Sequence, residues 1–307
     1  MIRDFEPGDA AGVSALLHEQ EMPGPLTADG VLHWHTAQPK RARARSWVAL
    51  EDGRVVGWGR ARLRWSTTAE GVADVFAHVH PRLRGHGVGG ALFGTAESYA
   101  RELGARSLQS WADSDAGNAF LERRGFRPTG TQRISALDPR NADTDALPEL
   151  ERALARDGFR LVPLENVRDR VAELHLVYAA SSADVPQEFR EDDVRLDEWR
   201  LETLEHPQLS GAGSFVVLDA ERPAALAFLE VDEPAGLAAN EMTGTLPEVR
   251  RRGLARLAKL ATIRWAAEAG ISSILTANEE RNTGIVALNE SLGYEPIGKE
   301  TQYLRDE

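Results

Sequence analysis

The sequence contains an internal repeat, and this repeat constrains the fold more than any other feature. The segment from Pro81 to Gly89 aligns with the segment from Pro247 to Ala255 at a constant offset of 166 residues. Further along, Gly125-Phe126 matches Gly293-Tyr294 at an offset of 168. A repeat of this length in a chain of 307 residues predicts two copies of one domain.

Each copy shows the same order of predicted elements: a strand, an amphipathic helix, a hairpin, a strand, a glycine-rich loop, a long helix and a further strand. In the first copy, strands are predicted at 2–5, 46–50, 55–63, 73–79 and 107–111, and helices at 9–21 and 88–103. In the second copy, strands are predicted at 159–164, 215–219, 225–231, 240–245 and 273–277, and helices at 168–181 and 254–269. Asp52-Gly53 predicts a tight hairpin turn. Gly104 and Gly270 are placed to end the two long helices.

These patterns predict an N-terminal domain at 1–140, a linker at 141–156 and a C-terminal domain at 157–307. The sequence around the linker has two prolines and many acidic residues, and a short helix is predicted within it from Pro148 to Arg156.

Composition narrows the class of protein and of partner. The absence of cysteine excludes disulfides, thiolate metal sites and a cysteinyl acyl intermediate, and it fits a reducing compartment. A net charge of −12 argues against nucleic-acid binding and favours an amine substrate. The charged N-terminus and the lack of an apolar run of ~20 residues predict a cytoplasmic protein that does not bind a membrane. The oligomeric state does not follow from the sequence.

Both glycine-rich loops lie between a predicted strand and a predicted helix. Small residues let the backbone approach an anion closely, and the N–H groups at a helix start point towards it. Arg84 in the first loop and Arg250 to Arg252 in the second add positive charge. A pyrophosphate is therefore the expected ligand of each loop.

Two common nucleotide-binding motifs fit less well. The spacing Gly85-x-Gly87-x-x-Gly90 matches the dinucleotide fingerprint, but the second copy lacks it and a hairpin precedes each loop in place of a parallel βαβ unit. No Gly-Lys-Ser or Gly-Lys-Thr follows either loop, which argues against a Walker-type phosphate loop.

The pattern Arg-x-x-Gly-x-Gly/Ala follows Val79-x-Pro81 and Thr245-x-Pro247, and a Gly-Phe or Gly-Tyr comes 36 to 38 residues later. This combination resembles the GNAT superfamily of acyl-CoA N-acyltransferases. The resemblance implies an α/β (α+β) fold with two GNAT domains, each a mixed, splayed central sheet flanked by helices. It also implies that acetyl-CoA binds in the opening of the sheet as co-substrate. The implied acetyl-CoA contacts are Val79, Arg84, Gly85, His86, Gly87, Val88 and Gly89 in the first copy, and Thr245, Leu246, Arg250, Arg251, Arg252, Gly253, Leu254, Ala255 and Asn282 in the second.

In this family the acyl group passes directly from CoA to an amine, which requires a base for the ammonium and an acid for the leaving thiolate. The acid is often a tyrosine four residues before the Gly-aromatic pair, where this chain has Leu121 and Asn289. The family's pantetheine-binding asparagine is present as Asn282 but replaced by Ser114 in the first copy. The second copy is therefore the expected catalytic one.

Two residues are candidates for acid–base roles in the second copy. Glu241 lies on the strand before the second loop and is expected to share side-chain parity with Thr243 and Thr245, although a solvated or ion-paired glutamate is the alternative. Asp74 is a weaker candidate in the first copy. Tyr303, on the predicted last strand, is a candidate acid, with a core tyrosine as the alternative.

Histidine pairs at 33 and 35 and at 78 and 80 lack a third ligand, so no metal site is predicted, and a proton-transfer role at 78 and 80 stays open. The acidic stretch from Glu188 to Glu205 is either a solvated helix face or a negative field that attracts a cationic amine.

The sequence thus predicts an acetyl-CoA-dependent N-acetyltransferase that acts on a small-molecule amine. Two alternatives stay open. The missing tyrosines suggest a non-catalytic acyl-CoA-binding or interaction protein, and the fused repeat suggests an acetyltransferase like mycothiol synthase, which also resembles two joined GNAT domains.

Overall fold

The computed structural model describes residues 1–20 and 24–307. The chain forms two compact units. Unit 1 contains Met1–Gln132, Gln187–Phe189 and Gly298–Glu307, and unit 2 contains Arg133–Pro186 and Arg190–Ile297. This division differs from the predicted one, at 1–140 and 157–307, because the later part of each copy's last strand belongs to the other unit.

The first copy has strands β1 (Ile2–Asp4), β2 (Arg45–Glu51), β3 (Arg54–Leu63), β4 (Val72–Val79), β5 (Ser107–Ala112) and β6 (Arg127–Leu137), and helices α1 (Ala10–His18), α2 (Ala28–Thr36), α3 (Val88–Glu102) and α4 (Asp115–Glu122). The second copy has helix α5 (Leu147–Arg156), strands β7 (Phe159–Pro163), β8 (Phe215–Asp219), β9 (Arg222–Asp232), β10 (Leu237–Thr245), β11 (Ser273–Glu279) and β12 (Glu295–Asp306), and helices α6 (Val171–Ser182), α7 (Leu196–Trp199), α8 (Leu254–Glu268) and α9 (Thr283–Ser291). A π-helical turn, Arg200–Leu204, continues α7. The predicted end of the first helix, Glu21, lies outside the described residues.

Both predicted hairpins form, but their turns have different sequence signals. Asp52 and Gly53 connect β2 to β3 with φ of 49° and 77°, as a two-residue hairpin turn with positive φ requires. Ala220 and Glu221 connect β8 to β9 with φ of 43° and 74°, although neither residue favours that region. Strand pairing therefore imposes the second turn on an unfavourable local sequence.

The predicted opening of each sheet is confirmed. The parallel pairing of β4 with β5 runs from Val72↔Ser107 to Asp74↔Gln109, and beyond these residues the two strands no longer pair with each other, although β4 stays paired with β3 and β5 with β12. In unit 2, β10 and β11 likewise pair only from Leu237↔Ser273 to Ala239↔Leu275. Each sheet therefore splays between the strand before the glycine-rich loop and the strand after the long helix.

The last strand of the chain completes the sheet of unit 1. Thr301 to Asp306 of β12 pair antiparallel with Ala112 to Ser107 of β5. In unit 2, Leu137 at the end of β6 packs in the core beside Leu292 and Tyr294. The segment predicted as a linker contains α5, whose Leu147 and Leu154 are also buried in the core of unit 2.

Apolar clusters cover both faces of each sheet. In unit 1, one cluster packs α3 against the sheet and another packs α1 and α2 against its other face. In unit 2, α8 packs on one face and α6 on the other. No helix in the described ranges is long and apolar enough to cross a membrane.

Candidate functional site

The glycine-rich loops have the same backbone shape in both units. Gly85 and Gly87 have φ of 80° and 86°, and their counterparts Arg251 and Gly253 have φ of 60° and 91°. Gly87 and Gly253 are the N-caps of α3 and α8. Alternating left-handed residues next to a helix start present several N–H groups to an anion. Unit 2 keeps this shape at a cost of about 1 kcal/mol, because Arg251 is not a glycine.

Most of the arginines of these loops have partners within their own unit. Arg84 donates to Gln20 Oε1 at 2.9 Å. Arg250 pairs with Asp184 at 2.5 Å and donates through Nε to the Thr245 carbonyl oxygen at 3.0 Å.

Arg252 lies 3.5 Å from Asp157 and over the ring of Phe159. Arg251 is exposed and makes no ion pair with any residue of the described chain. Among the loop arginines of unit 2, it is therefore the one with a guanidinium available to a phosphate.

The first-copy residues assigned to acetyl-CoA come together around a cleft of unit 1 with a volume of about 460 Å³. Val79, Arg84, Gly85, Gly87 and Gly89 line it. A Cβ on Gly89 would lie 3.3 Å from Val79 Cγ2, so the small residue permits the approach of α3 to the strand end. Of the remaining predicted contacts in this copy, His86 turns its Nδ1 to the Arg84 carbonyl oxygen at 3.0 Å and Val88 packs against the core.

In the second copy, two apolar residues predicted to contact acetyl-CoA pack in the core. Leu254, the first residue of α8, is buried, and Leu246 contacts the apolar clusters on both faces of the sheet. Ala255 is part-exposed in the first turn of α8. Asn282 precedes α9, and its side chain makes no hydrogen bond with any described residue. Its counterpart Ser114 instead caps α4 by accepting from Gly117 N at 3.3 Å.

The strand before the second loop contains a β-bulge at Glu241. The pairing of β10 with β9 shifts between Asn240↔Leu229 and Met242↔Phe228, which leaves Glu241 as the extra residue. Such bulges re-aim side chains and are common next to active sites. The pairing of β4 with β3 in unit 1 runs without a shift from Val79 to Ala73.

The bulge overturns the predicted parity of Glu241. Residues directly opposite each other in an antiparallel pair share a face. Met242 is opposite Phe228 and packs with the α6 cluster, whereas Thr243 is opposite Ala227, which belongs to the α8 cluster. Glu241 therefore shares the α6 face with Met242, and Thr243 and Thr245 lie on the opposite face.

A tyrosine that the sequence did not indicate holds the Glu241 carboxylate. Tyr178 of α6 donates its hydroxyl to Glu241 Oε1 at 3.0 Å. Glu241 Oε2 is buried without a hydrogen-bond partner in the described chain. The helix can approach the strand because a Cβ on Gly244 would lie 2.0 Å from Ser181 Oγ, so that only glycine fits there. The presence of Tyr178 on a predicted amphipathic helix is the only sequence signal for this contact.

The surroundings of Glu241 raise the pH at which its carboxyl group loses a proton. Burial, with a smaller contribution from the charge of Glu230, raises its pKa to about 8, and the hydrogen bond from Tyr178 opposes this rise. Burial also raises the pKa of Glu230 to about 7. Glu230 is opposite Ala239 on the same face, with His206 Nδ1 3.4 Å from its carboxylate.

Part of the acidic stretch from Glu188 to Glu205, for which a solvated helix face and an amine-attracting field were the two alternatives, acts electrostatically on this site. The charges of Glu191 and Glu202 contribute to the raised pKa of both Glu241 and Tyr178. Glu202 lies in the π-helical turn, a conformation that often occurs at functional sites. Four carboxyl groups thus surround the α6 face of β10.

Tyr303 does not lie in unit 2. It is opposite Ser110 of β5, 2% exposed, within the core of unit 1, and donates to Glu122 Oε1 at 3.2 Å. Its prediction as the acid of the second site is therefore wrong, because β12 completes the sheet of the other unit. Its alternative, a core tyrosine, is the observed one.

The position of the family's tyrosine is buried in both units. Leu121 is a core residue of unit 1. Asn289 is 3% exposed, donates to Asn278 Oδ1 at 2.7 Å, and has a buried Oδ1 without a partner in the described ranges. Neither residue supplies an acid.

Two further candidates of the first copy, Asp74 and His80, form ion pairs. Asp74 lies 3.2 Å from Arg62 and 4.0 Å from Arg64, so it is a buried ion pair. His80 pairs with Glu19 at 2.6 Å. Within the described residues, no three His, Cys, Asp or Glu side chains are grouped to hold a metal ion.

Comparison with known proteins agrees with this geometry. A mycothiol acetyltransferase from Thermobispora bispora is 29% identical over 97% of this chain and 97% of that protein. A mycothiol acetyltransferase from Rhodococcus opacus is 27% identical over 98% and 96%. The solved structure of a tandem GNAT protein from the clavulanic acid biosynthesis pathway aligns with a TM-score of 0.74 and 22% identity over 100% of this chain and 98% of that chain.

A GCN5-related N-acetyltransferase from Sphaerobacter thermophilus aligns with a TM-score of 0.68 and 17% identity over 100% and 95% of the two chains. The two structural alignments confirm the predicted fold. The sequence pattern of the acetyltransferase (GNAT) family matches residues 15–126 and 174–294, once in each copy. Since these matches cover more than half of the chain, it belongs to the acetyltransferase (GNAT) family and carries two copies of its domain.

Proposed function

We propose that this protein transfers an acetyl group from acetyl-CoA to the amine of a small molecule, and that the transfer takes place in unit 2 with Glu241 as the general base. The observation that carries the proposal is the bulge that turns the Glu241 carboxylate to the α6 face, where Tyr178 holds one oxygen and the other is unpaired.

The loop from Arg250 to Ala255 fits the pyrophosphate of the co-substrate. Its left-handed residues and the start of α8 supply N–H donors, and Arg251 supplies an unpaired charge. The splay after Ala239 leaves an edge of β10 that can pair with the pantetheine arm. Acetyl-CoA supplies the thioester that makes the acetyl group reactive.

Glu241 prepares the amine for attack. A primary amine is mostly protonated at neutral pH and cannot attack until it loses a proton. The unpaired Oε2 of Glu241 accepts this proton. The nitrogen then bonds to the thioester carbonyl carbon, the C–S bond breaks and the CoA thiolate leaves. The nitrogen releases its second proton to solvent as the amide forms, and the thiolate takes a proton from solvent. With a pKa of about 8, roughly a tenth of the Glu241 carboxyl groups are ionised at pH 7, this fraction grows as the pH rises, and the ionised form binds the proton of the amine well.

The acidic surroundings favour a cationic acceptor. Glu230, Glu191 and Glu202 add to the negative potential at Glu241, and an ammonium ion bound there would lower the pKa of each carboxyl group. Such a field also speeds the approach of the cation.

The test measures acetylated product and released CoA by mass spectrometry, with full-length protein, acetyl-CoA and a panel of amines. The panel includes the amine that acetylation would convert into mycothiol, because of the names of the relatives. We expect Glu241→Gln to lower kcat/KM at least ~100-fold for the preferred amine, the range of general-base catalysis. The exposed Glu268→Gln, on α8, is the matched control.

The pH profile identifies the base. Ionisation of the amine changes kcat/KM with pH in the same way in every variant. A change in kcat/KM near pH 8 that occurs in the wild type and not in Glu241→Gln is therefore due to ionisation of Glu241. Tight acetyl-CoA binding without turnover of any amine would favour the non-catalytic alternative. Equal activity of Glu241→Gln and Glu268→Gln would refute the role of Glu241.

A further inference from the structure

The cleft of unit 1 has titratable groups that the activity proposed for unit 2 does not use. His78 lines this cleft together with Arg84 and the glycines of the first loop. Its ring stacks on Trp58 at 5.9 Å and meets Phe76 edge-on at 5.7 Å. Burial is the main cause that lowers the pKa of His78, so the imidazole is neutral at pH 7.

Two carboxyl groups lie at the open end of the neighbouring strands. The register of β5 with β12 ends at Ala112↔Thr301, so Asp113 and Glu300 are the next residues of the two chains beyond the last pair. The charge of Asp113 acts on Glu300, which shows that the two carboxyl groups are near each other. Asp113 lines the same cleft as His78.

Neither carboxyl group is neutralised by the protein. Asp113 and Glu300 form no hydrogen bond or ion pair with a residue of the described chain. Burial, with a smaller contribution from the charge of Asp113, raises the pKa of Glu300 to about 7. The charge of Asp113 also acts on His78, which places the three groups within electrostatic reach of one another. In contrast, Asp74 on the same strand as His78 is paired with two arginines.

These groups face the side of the sheet that carries α1 and α2. On β4, whose pairing has no bulge, Asp74, Phe76 and His78 share one face, and Phe76 packs in the cluster of α1 and α2. On β5, Gln109 Oε1 accepts a hydrogen bond from Arg64, which also lies near Asp74, so Gln109 is on this face. Asp113 is four residues further along and just past the end of β5, where the alternation of the strand gives it the same face. The face of unit 1 that carries His78, Asp113 and Glu300 thus corresponds to the face of unit 2 that carries Glu241.

We infer that the cleft of unit 1 is a second acyl-acceptor site for a cationic primary amine, in which the Asp113–Glu300 pair receives the ammonium and Glu300 accepts its proton. The amine nitrogen bonds to the carbonyl carbon of an acetyl-CoA bound along the first loop. The C–S bond breaks, the nitrogen releases its second proton to solvent as the amide forms, and the thiolate takes a proton from solvent. The His78 ring borders this site and is held from behind by Trp58 and Phe76, which suits an acceptor with an apolar body.

The exchanged strand makes this site possible. Glu300 is part of the second copy in sequence but belongs to unit 1 in the structure. A comparison of the two copies by sequence alone therefore assigns no base to the first cleft, whereas the folded unit contains one.

The inference rests on the proposed use of acetyl-CoA but not on the role of Glu241. The experiment uses full-length protein, acetyl-CoA and the amine panel, with Glu241→Gln, Glu300→Gln and the double variant. We expect Glu241→Gln to keep turnover of a subset of amines, enriched in those with an apolar body. For that subset, Glu300→Gln should lower kcat at least ~100-fold, and the double variant should be inactive.

Two further variants separate chemistry from structure. Asp113→Asn, at an exposed residue, should raise KM for the same amines at least tenfold with a smaller effect on kcat. Glu295→Gln, at the exposed start of β12, is the matched control and should retain wild-type kinetics. Thermal unfolding of each variant shows whether a loss of activity is due to misfolding. If Glu300→Gln is misfolded, the KM of Asp113→Asn decides whether the second site exists.

The outcomes distinguish the two proposals. Loss of all turnover in Glu241→Gln, or equal kinetics of Glu300→Gln and Glu295→Gln for every amine, would overturn the second site. Wild-type turnover in Glu241→Gln combined with loss in Glu300→Gln would support the second site and refute the proposed role of Glu241.

Discussion

Lys259 offers a strong test of the core of unit 2, because this buried lysine has no carboxylate partner within residues 1–20 and 24–307. It lies on α8, is 1% exposed, and its Nζ donates to Asn240 Oδ1 at 2.5 Å. The ring of Tyr294 lies 4.7 Å from Nζ, and its hydroxyl donates to the same Asn240 oxygen at 2.9 Å. Burial lowers the pKa of Lys259 from 10.5 to about 7.

The direction in which stability changes with pH follows from the protons bound by Lys259 in the folded and unfolded states. The folded protein has the lower pKa, so between pH 7 and 10.5 the unfolded state binds a proton that the folded state does not. Stability therefore rises with pH across this window. Lys259 costs roughly 4 kcal/mol at pH 7, since one pKa unit corresponds to about 1.4 kcal/mol. About half of this cost disappears by pH 9.

Lys259→Met should therefore stabilise unit 2. Methionine fills a similar volume without a charge, and the change loses one hydrogen bond worth about 1 kcal/mol. We expect a net gain of about 2–3 kcal/mol at pH 7 that shrinks towards zero by pH 10. Hydrogen exchange of the α8 amides, followed by mass spectrometry at pH 7 and 9, reports the stability of this unit.

The exposed Lys40→Met is the matched control and should leave exchange in α8 unchanged. A loss of several kcal/mol in Lys259→Met at pH 7, together with a wild-type stability that does not rise between pH 7 and 9, would refute the reasoning. Lys259 would then be charged in the fold and would stabilise it.

Three further predictions concern the site of unit 2. Tyr178→Phe removes a donor that favours the ionised form of Glu241, so the pH profile of kcat/KM should move to higher pH. Gly244→Ala should cost about 1–3 kcal/mol and reduce activity, because its methyl group meets Ser181 Oγ, and adding Ser181→Gly should restore both, as measured by thermal unfolding and turnover. Gly253→Val should weaken acetyl-CoA binding at least tenfold by calorimetry, because φ of 91° excludes a β-branched residue.

Each of these has its own refuting result. For the loop, Gly270→Val is the control, since Gly270 has φ of 79° at the far end of α8, and a similar loss of acetyl-CoA affinity there would mean that the effect is general destabilisation. An unchanged pH profile in Tyr178→Phe would mean that the hydrogen bond does not tune Glu241. Failure of Ser181→Gly to rescue Gly244→Ala would mean that the two atoms are not the point of contact.

Much of the fold could be predicted from the sequence because it depends on local patterns. The long helices were predicted at 88–103 and 254–269 and end within one residue of those bounds. Their glycine-rich loops have the expected left-handed residues, and the splay follows from the family resemblance that those loops carry.

The features that the sequence did not indicate depend on how the strands pair. The second hairpin was predicted, but its turn at Ala220 and Glu221 has no turn signal in the sequence and forms because the register of β8 with β9 requires it. No glycine marks the bulge at Glu241 in the sequence, and the bulge is visible only in the pairing of β10 with β9. Parity along an unbroken strand consequently gave the wrong face for this residue.

The sequence by itself determined the two copies, the glycine-rich loops and the family, since these depend on residue types at fixed spacing along the chain. The tertiary structure alone decided which side chains meet. It brought Tyr178 to Glu241 through the packing of α6 on β10, and it moved Tyr303 and Glu300 into unit 1. The residue pattern of a strand indicates that the segment pairs and which of its residues share a face. Which strand it pairs with depends on the free energy of the whole fold. In this protein the later part of each copy's last strand belongs to the unit of the other copy.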